Sequence, residues 1–207
     1  GILQFEAMPA VPFKEIEEFS GGKDINITLG KATAKINGKE ITEMGVSCHG
    51  ALPEGSVNAG YLLAKRLCDE NLLCKEDMRQ MRFIERLLEK YYGEAFGIDG
   101  KDKVFGRLTC SNGIIRTERG KPTLAFDLRY GLDMNYESIK TKIGEFFRQN
   151  NWSVKIISEK SPYIVSEDNI YLQRCLKAYK EFCETDVAPS HINAGATYAG
   201  ILPCAVE

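Results

Sequence analysis

Hydrophobic and polar positions alternate, cluster and break along this chain in a way that predicts mixed helix and strand. At the start, Ile2, Leu3 and Phe5 read as a short strand, and Pro9 and Pro12 mark a turn. Phe13, Ile16 and Phe19 recur every three residues and predict a short helix, closed by Gly21-Gly22. Ile25, Ile27 and Leu29 then alternate as in a strand. Ala32, Ala34 and Ile36 continue the alternation after a slip at Gly30-Lys31. Asn37-Gly38 between strand-like runs predicts a hairpin whose returning strand runs over 40–47.

Two helical patterns come next. The first runs over 56–70, with Ser56 as candidate N-cap and Leu62, Leu63 and Leu67 as its apolar stripe. The second runs over 77–92, with Met78, Met81, Leu87, Leu88 and Tyr91 directed inward and the methionines acting as core filler. Strands are expected again at 104–110, 114–117 and 123–130, with turns at Asn112-Gly113 and Gly120-Lys121. An amphipathic helix over 138–150 (Ile139, Ile143, Phe146, Phe147), a strand over 152–157 and a last helix over 168–182 complete the pattern, before a strand-like run from Ile201 to Val206.

This succession is an α+β arrangement, and its strand–helix–strand–strand–helix–strand order matches the ferredoxin-like split βαβ plan, an antiparallel sheet with helices on one face. Ser161-Pro162 and Ser166-Glu167 mark a boundary. Three parts are expected: a flanking segment over 1–20, a sheet domain over 21–165, and a second flanking segment over 166–207. Gly1 at one end and the terminal strand at the other read as cut ends.

Composition narrows the function classes. The chain has 207 residues, and its 27 Lys and Arg nearly balance 29 Asp and Glu. That leaves no basic surplus for a nucleic-acid backbone. Apolar runs are too short to span a membrane. Seven cysteines with irregular spacing and no Cys-x-x-Cys pair argue against a disulfide framework or zinc knuckle, and favour a reducing cytoplasm.

Candidate chemistry is sparse. The two histidines, His49 and His191, have no second ligand at metal spacing, so no metal site is expected within the chain. His49 ends a strand-like run and precedes a Gly- and Pro-containing loop leading to a helix start. A histidine there can donate to a developing oxyanion; the plainer alternative is a surface or loop-packing residue. Cys48 and His49 are adjacent in a strand and point to opposite faces, so they do not form a thiol nucleophile and its base. Arg129 ends a strand that also carries Asp127. It either clamps a carboxylate or forms a local pair with Asp127 on the solvent side. Gly195-Ala196-Thr197-Tyr198 is a small-residue loop whose backbone N–H groups can hold a carboxylate, or an ordinary turn. His191 reads as a loop residue.

Four ordered stretches carry a resemblance. The run GVSCHGALPEGSVNAGYLLAKRL from Gly45 to Leu67 resembles a family pattern of glycine, Ala-His-Gly, then Pro-x-x-Gly-x-Asn-Ala and a helix, with Cys48 in place of alanine. Gly21-Gly22 through Asn26 is similar to its Gly-Gly-x-x-x-Asn-x-Val-Pro segment, with Thr28-Leu29 for Val-Pro. Phe126 to Tyr130 is similar to its strand ending in Arg-Tyr-Pro, with Gly131 for proline. Ala194 to Ala199 is similar to its Gly-Gly-Gly-Thr-Tyr-Ala loop, with Gly200 where arginine is usual. The family is the clan MH metallopeptidases, which include aminoacylase, carboxypeptidase G and the PepV-type dipeptidases.

The resemblance implies the substrate-covering lid of a two-zinc dipeptidase, with flanking strips of its α/β catalytic domain. It implies zinc ligands outside the chain, so that the piece by itself is inactive, with manganese or cobalt as alternative metals. His49 would stabilise the tetrahedral intermediate, and Arg129 would bind the substrate's C-terminal carboxylate. Asn26, Gly195 and Thr197 would hold the substrate backbone, and Asn58 would be a loop or helix-start residue rather than a ligand contact. The partners implied are a dipeptide, the rest of the catalytic domain and, through pairing of this domain, a second copy. The alternatives are a lid acting on N-acyl amino acids or succinyl-diaminopimelate, and a non-catalytic ligand-binding or assembly module.

Overall fold

A computed structural model describes residues 1–184. Among these, seven strands form one antiparallel sheet in the order β4-β3-β2-β7-β8-β1-β9. The strands are β1 (Ile2–Pro9), β2 (Ile16–Gly21), β3 (Lys31–Ile36), β4 (Lys39–Met44), β7 (Thr109–Glu118), β8 (Lys121–Arg129) and β9 (Trp152–Lys160). A two-stranded ribbon, β5 (Lys101–Asp102) with β6 (Gly106–Arg107), stands apart. The helices are α1 (Ala59–Asp69), α2 (Lys75–Leu88), α3 (Tyr136–Gln149) and α4 (Ile170–Cys183). The protein is α+β. No helix among the described residues is long and apolar enough to cross a membrane.

Alternation explains the sheet's two faces. Leu3, Phe5 and Ala7 on β1 and Leu124, Phe126 and Leu128 on β8 are buried toward the helices. Phe5 stacks on Phe126 at 5.0 Å between ring centroids, and Phe147 of α3 packs edge-on to Phe5 at 6.3 Å. Phe83 of α2 closes the cluster against Trp152 at 5.1 Å. Each such ring contributes about 1.5–3 kcal/mol by leaving water.

Strand β1 lies between β8 and β9, paired to both. Residues 1–20 therefore share a sheet and core with residues 21–165, rather than standing apart as a flanking segment. The reason is combinatorial: the partners of β1 are more than a hundred residues away, and nothing local announces them.

Four local expectations are corrected. Residues 16–21 are strand, not helix. A bulge between Ile16 and Glu18 inserts one residue, so Ile16 and Phe19 both face the core at a spacing of three. The carboxylate of Asp77 on α2 reinforces this by accepting from the backbone N–H groups of Lys14, Glu15 and Ile16, at 2.8, 2.7 and 3.2 Å.

Asn112-Gly113 is not a turn but a bulge inside β7. The Asn112 side chain donates to the carbonyls of Ile114 and Ala125, at 2.9 and 2.8 Å, and so bridges the interruption. A Cβ at Gly113 would collide with the carbonyl oxygens of Asp24 and Ile25, so the crossing chain requires glycine there.

Residues 25–29 are not a strand; regular pairing begins at Lys31. The helix cap also lies two residues further on than expected. Asn58, not Ser56, accepts from the N–H groups of Gly60 and Tyr61 at 2.8 and 3.3 Å. Its amide donates to the Asn112 carbonyl at 3.2 Å, tying the start of α1 to the bulge.

Helix α4 buries none of its residues; Ile170, Tyr171 and Tyr179 are exposed, and Phe182 is 92% exposed.

Candidate functional site

The segments carrying Asn26 and His49 are irregular yet tightly joined. Ile27 and His49 form an antiparallel bridge. The Thr28 N–H donates to the Cys48 carbonyl at 2.9 Å, and the Gly50 N–H to the Asn26 carbonyl at 2.7 Å. These bonds place the Asn26 amide 3.4 Å from Nε2 of the exposed His49 ring. The other ring nitrogen, Nδ1, accepts from the Ala51 N–H at 3.2 Å. The Cys48 Sγ lies 3.8 Å from the Glu54 carbonyl; residues 48 and 49 fall outside β4, so the expected strand does not extend to them.

Beyond His49 the loop is held by contacts that the sequence pattern does not announce. The Leu52 N–H closes a turn onto the His49 carbonyl at 2.8 Å. Tyr91 donates its hydroxyl to the Ser56 carbonyl, and Tyr92 donates to the Glu54 carboxylate at 2.7 Å. That hydrogen bond holds the Glu54 carboxyl below its ordinary range and pushes the Tyr92 phenol up. Arg107 lies over the Tyr92 ring at 3.7 Å from its centroid and pairs with Glu94 at 3.2 Å.

Arg129 is fixed differently. Its Nε donates to Asp127 Oδ2 at 2.6 Å, and the Gln4 amide on β1 donates to Asp127 Oδ1 at 2.8 Å. The local pair foreseen from the sequence exists, but it is not on the solvent side: the side chains are 11% and 0% exposed. Gln4 carried no sequence signal beyond being a polar position in an alternating strand.

The two groups share one face of the sheet. Ser111 on β7 lies directly across from Asp127 on β8, and opposed residues of a ladder project to the same side. The Ser111 hydroxyl donates to the Gly50 carbonyl at 3.4 Å, so the His49 loop crosses that same side. Arg129, two residues from Asp127, projects there as well. The side is the one away from Phe126 and Phe147. A groove of about 670 Å³ runs nearby, lined by Gly21, Gly22, Lys23, Thr28, Met44 and Ser47, but it takes in neither His49 nor Arg129. Gly195, Thr197 and His191 lie outside the described residues.

The described residues do not fit a catalytic zinc centre. Glu15, Cys74 and Asp77 bring three ligand-type atoms within 4.8 Å of one another. However, Asp77 accepts three backbone N–H groups, and Glu15 accepts from the Cys74 N–H at 2.6 Å. The cluster serves as a clamp on the entry to β2.

No family model matches the chain. It is 30% identical over 177 residues to the protein named "Putative dipeptidase SSP1012" of Staphylococcus saprophyticus, a match covering 84% of this chain and 35% of that protein. It is 29% identical over 175 residues to "Putative dipeptidase YtjP" of Bacillus subtilis, covering 81% and 36%. It is 25% identical over 189 residues to "Putative dipeptidase SAUSA300_1697" of Staphylococcus aureus, covering 89% and 39%. The chain thus spans little more than a third of the length of these relatives.

Proposed function

We propose that this chain is the lid region of a zinc-dependent dipeptidase of the clan MH, PepV-like type, and that its role is to close over the substrate. The observation that supports the proposal is that the loop bearing His49 crosses the sheet face to which Asp127 and Arg129 project, on segments that resemble the family's own. The antiparallel order β9-β1-β8-β7, with α1 and α2 leading from β1 toward β7 and α3 from β8 to β9, supports the ferredoxin-like plan. On this reading β2, β3 and β4 extend that sheet, and bare α4 begins a return to the catalytic domain.

The chemistry assigns roles. In hydrolysis the oxygen of water bonds to the peptide carbonyl carbon and negative charge grows on the carbonyl oxygen; the charge then returns to the carbon, the C–N bond breaks, and the amine leaves with a proton from that water. A ring N–H of His49 donates to the carbonyl oxygen; removing one such donor in other hydrolases costs about 100- to 1,000-fold in rate. Arg129, oriented by Asp127, receives the substrate's C-terminal carboxylate. Asn26 meets the substrate backbone beside His49, and Gly195 and Thr197 are assigned the same task. The zinc ions belong on residues of the parent protein outside this chain, and the chain alone is inactive.

The test is hydrolysis of a small dipeptide panel by the full-length gene product, metal-free and zinc-loaded, with and without His49→Ala. Zinc-dependent cleavage that collapses in the variant is the expected result. A folded, zinc-loaded protein that cleaves no dipeptide would remove this reading and direct the assay to N-acyl amino acids.

A further inference from the structure

We infer that the backbone of the His49 turn fixes the imidazole as the Nε2–H tautomer, with the Ala51 N–H acting as the positioning group and Asn26 presenting its amide oxygen to the ring. This deepens the reading of His49 as an oxyanion donor and rests on it. A neutral imidazole has one N–H and one bare nitrogen. Two groups approach the ring here, Ala51 N at Nδ1 and the Asn26 amide at Nε2. A backbone amide has no choice of role: it donates, so Nδ1 is the acceptor. The ring proton then resides on Nε2. An amide nitrogen of Asn26 at 3.4 Å would set two hydrogens against each other, whereas the oxygen of the same side chain, turned by half a rotation, accepts.

The turn is built to hold this arrangement. The Ala51 N–H is delivered to Nδ1 because residues 49–52 are closed by Leu52 N–H to His49 carbonyl, while Gly50 is pinned to both Asn26 and Ser111. Asn26 Oδ1 occupies the donor in the absence of substrate. A substrate oxygen that takes the same hydrogen bond replaces a partner already aligned with it, so the ring does not have to change tautomer when charge develops.

The experiment reads the tautomer without substrate or turnover. The chain carrying His191→Gln, labelled with nitrogen-15 at histidine, retains His49 alone. Long-range proton–nitrogen correlation is recorded at about pH 8, above the ordinary imidazole pKa of about 6.5. In the folded chain the bare nitrogen is expected to correlate with Hε1 only, the pattern of Nε2–H; in urea it averages. Ala51→Pro, which deletes the N–H, is expected to move the signal at least halfway toward the urea position. Asn26→Asp keeps an acceptor at Nε2 and is expected to leave the pattern unchanged.

A bare nitrogen correlating with both Hε1 and Hδ2, a folded chain as averaged as in urea, or a switch of tautomer in Asn26→Asp would each overturn the inference. The outcome is separable from that of the catalytic reading. If His49→Ala in the full-length protein keeps its turnover while the Nε2–H pattern is found, the dipeptidase role of His49 fails and the tautomer assignment stands. If turnover collapses but the pattern is absent, the reverse holds.

Discussion

Arg129 and His49 lie on the same side of one sheet, yet they are held by opposite means. Arg129 belongs to a central strand, and its partner Asp127 is fully buried and also takes a hydrogen bond from Gln4 on the neighbouring strand. His49 is exposed on a loop, placed by backbone bridges to residues 26–28, by Ser111 beneath it and by Tyr91 and Tyr92 further along. The first is expected to be stiff and costly to disturb. The second is expected to be cheap to disturb in stability and expensive in function. Sites that act on a changing charge commonly divide in this way, with an anchor in regular structure and the active donor on a loop beside it.

The largest expected effect is on the anchor. Asp127→Ala removes the carboxylate from a buried guanidinium and from Gln4, and should cost about 3–5 kcal/mol in urea unfolding. A loss below about 1 kcal/mol would mean that the pair is far better solvated than its burial indicates. On the loop the balance reverses. On the proposed reading, His49→Ala should lower dipeptide turnover by the full-length gene product about 100- to 1,000-fold, with unfolding midpoints nearly unchanged. Equal damage to stability would show that the ring packs the loop instead of acting at its surface.

Arg129→Ala should raise KM for dipeptides by about 10- to 100-fold, as loss of a charged hydrogen bond implies, with a smaller change in kcat. A substrate with an amidated C-terminus should lose far less, since it offers no carboxylate. An equal loss for both would remove the clamp from Arg129 while leaving its buried pairing intact.

The smallest effect concerns the loop's outer bracket. Glu54 is held below its ordinary range by the Tyr92 hydroxyl, so its contribution is present above the unfolded carboxyl's pKa, about 4.3, and is lost as pH falls through the folded value. Solvent screening keeps it well under about 1 kcal/mol. Tyr92→Phe should therefore lower stability slightly at neutral pH and match the parent in acid. A difference that persists undiminished in acid would assign the effect to packing under Arg107 instead.

Much of this contrast is legible in the sequence, though unevenly. The run of 123–130 as a strand ending in Arg129, with Asp127 beside it, comes from alternation, and the structure keeps it. The Asn37-Gly38 hairpin and the helices α1, α2 and α3 also stand close to their expected places. What misled were signals with two physical meanings. A glycine after asparagine serves a turn or a bulge, and at 112–113 the chain crossing from Asp24 and Ile25 selects the bulge. A spacing of three marks a helix or a bulged strand, and at 16–19 the pairing with β3 and the Asp77 clamp select the strand.

By itself, the sequence determined the mixture of helices and strands, the inward faces of most of them, and the residue types available for chemistry, because those depend on neighbours a few positions apart. Only the tertiary structure decided that β1 sits between β8 and β9, that the Asp127–Arg129 pair is buried, and that a backbone N–H meets Nδ1 of His49. Each of these depends on partners brought together by long-range pairing, or on the detailed path of a loop, and a pattern of hydrophobic positions carries no information about either.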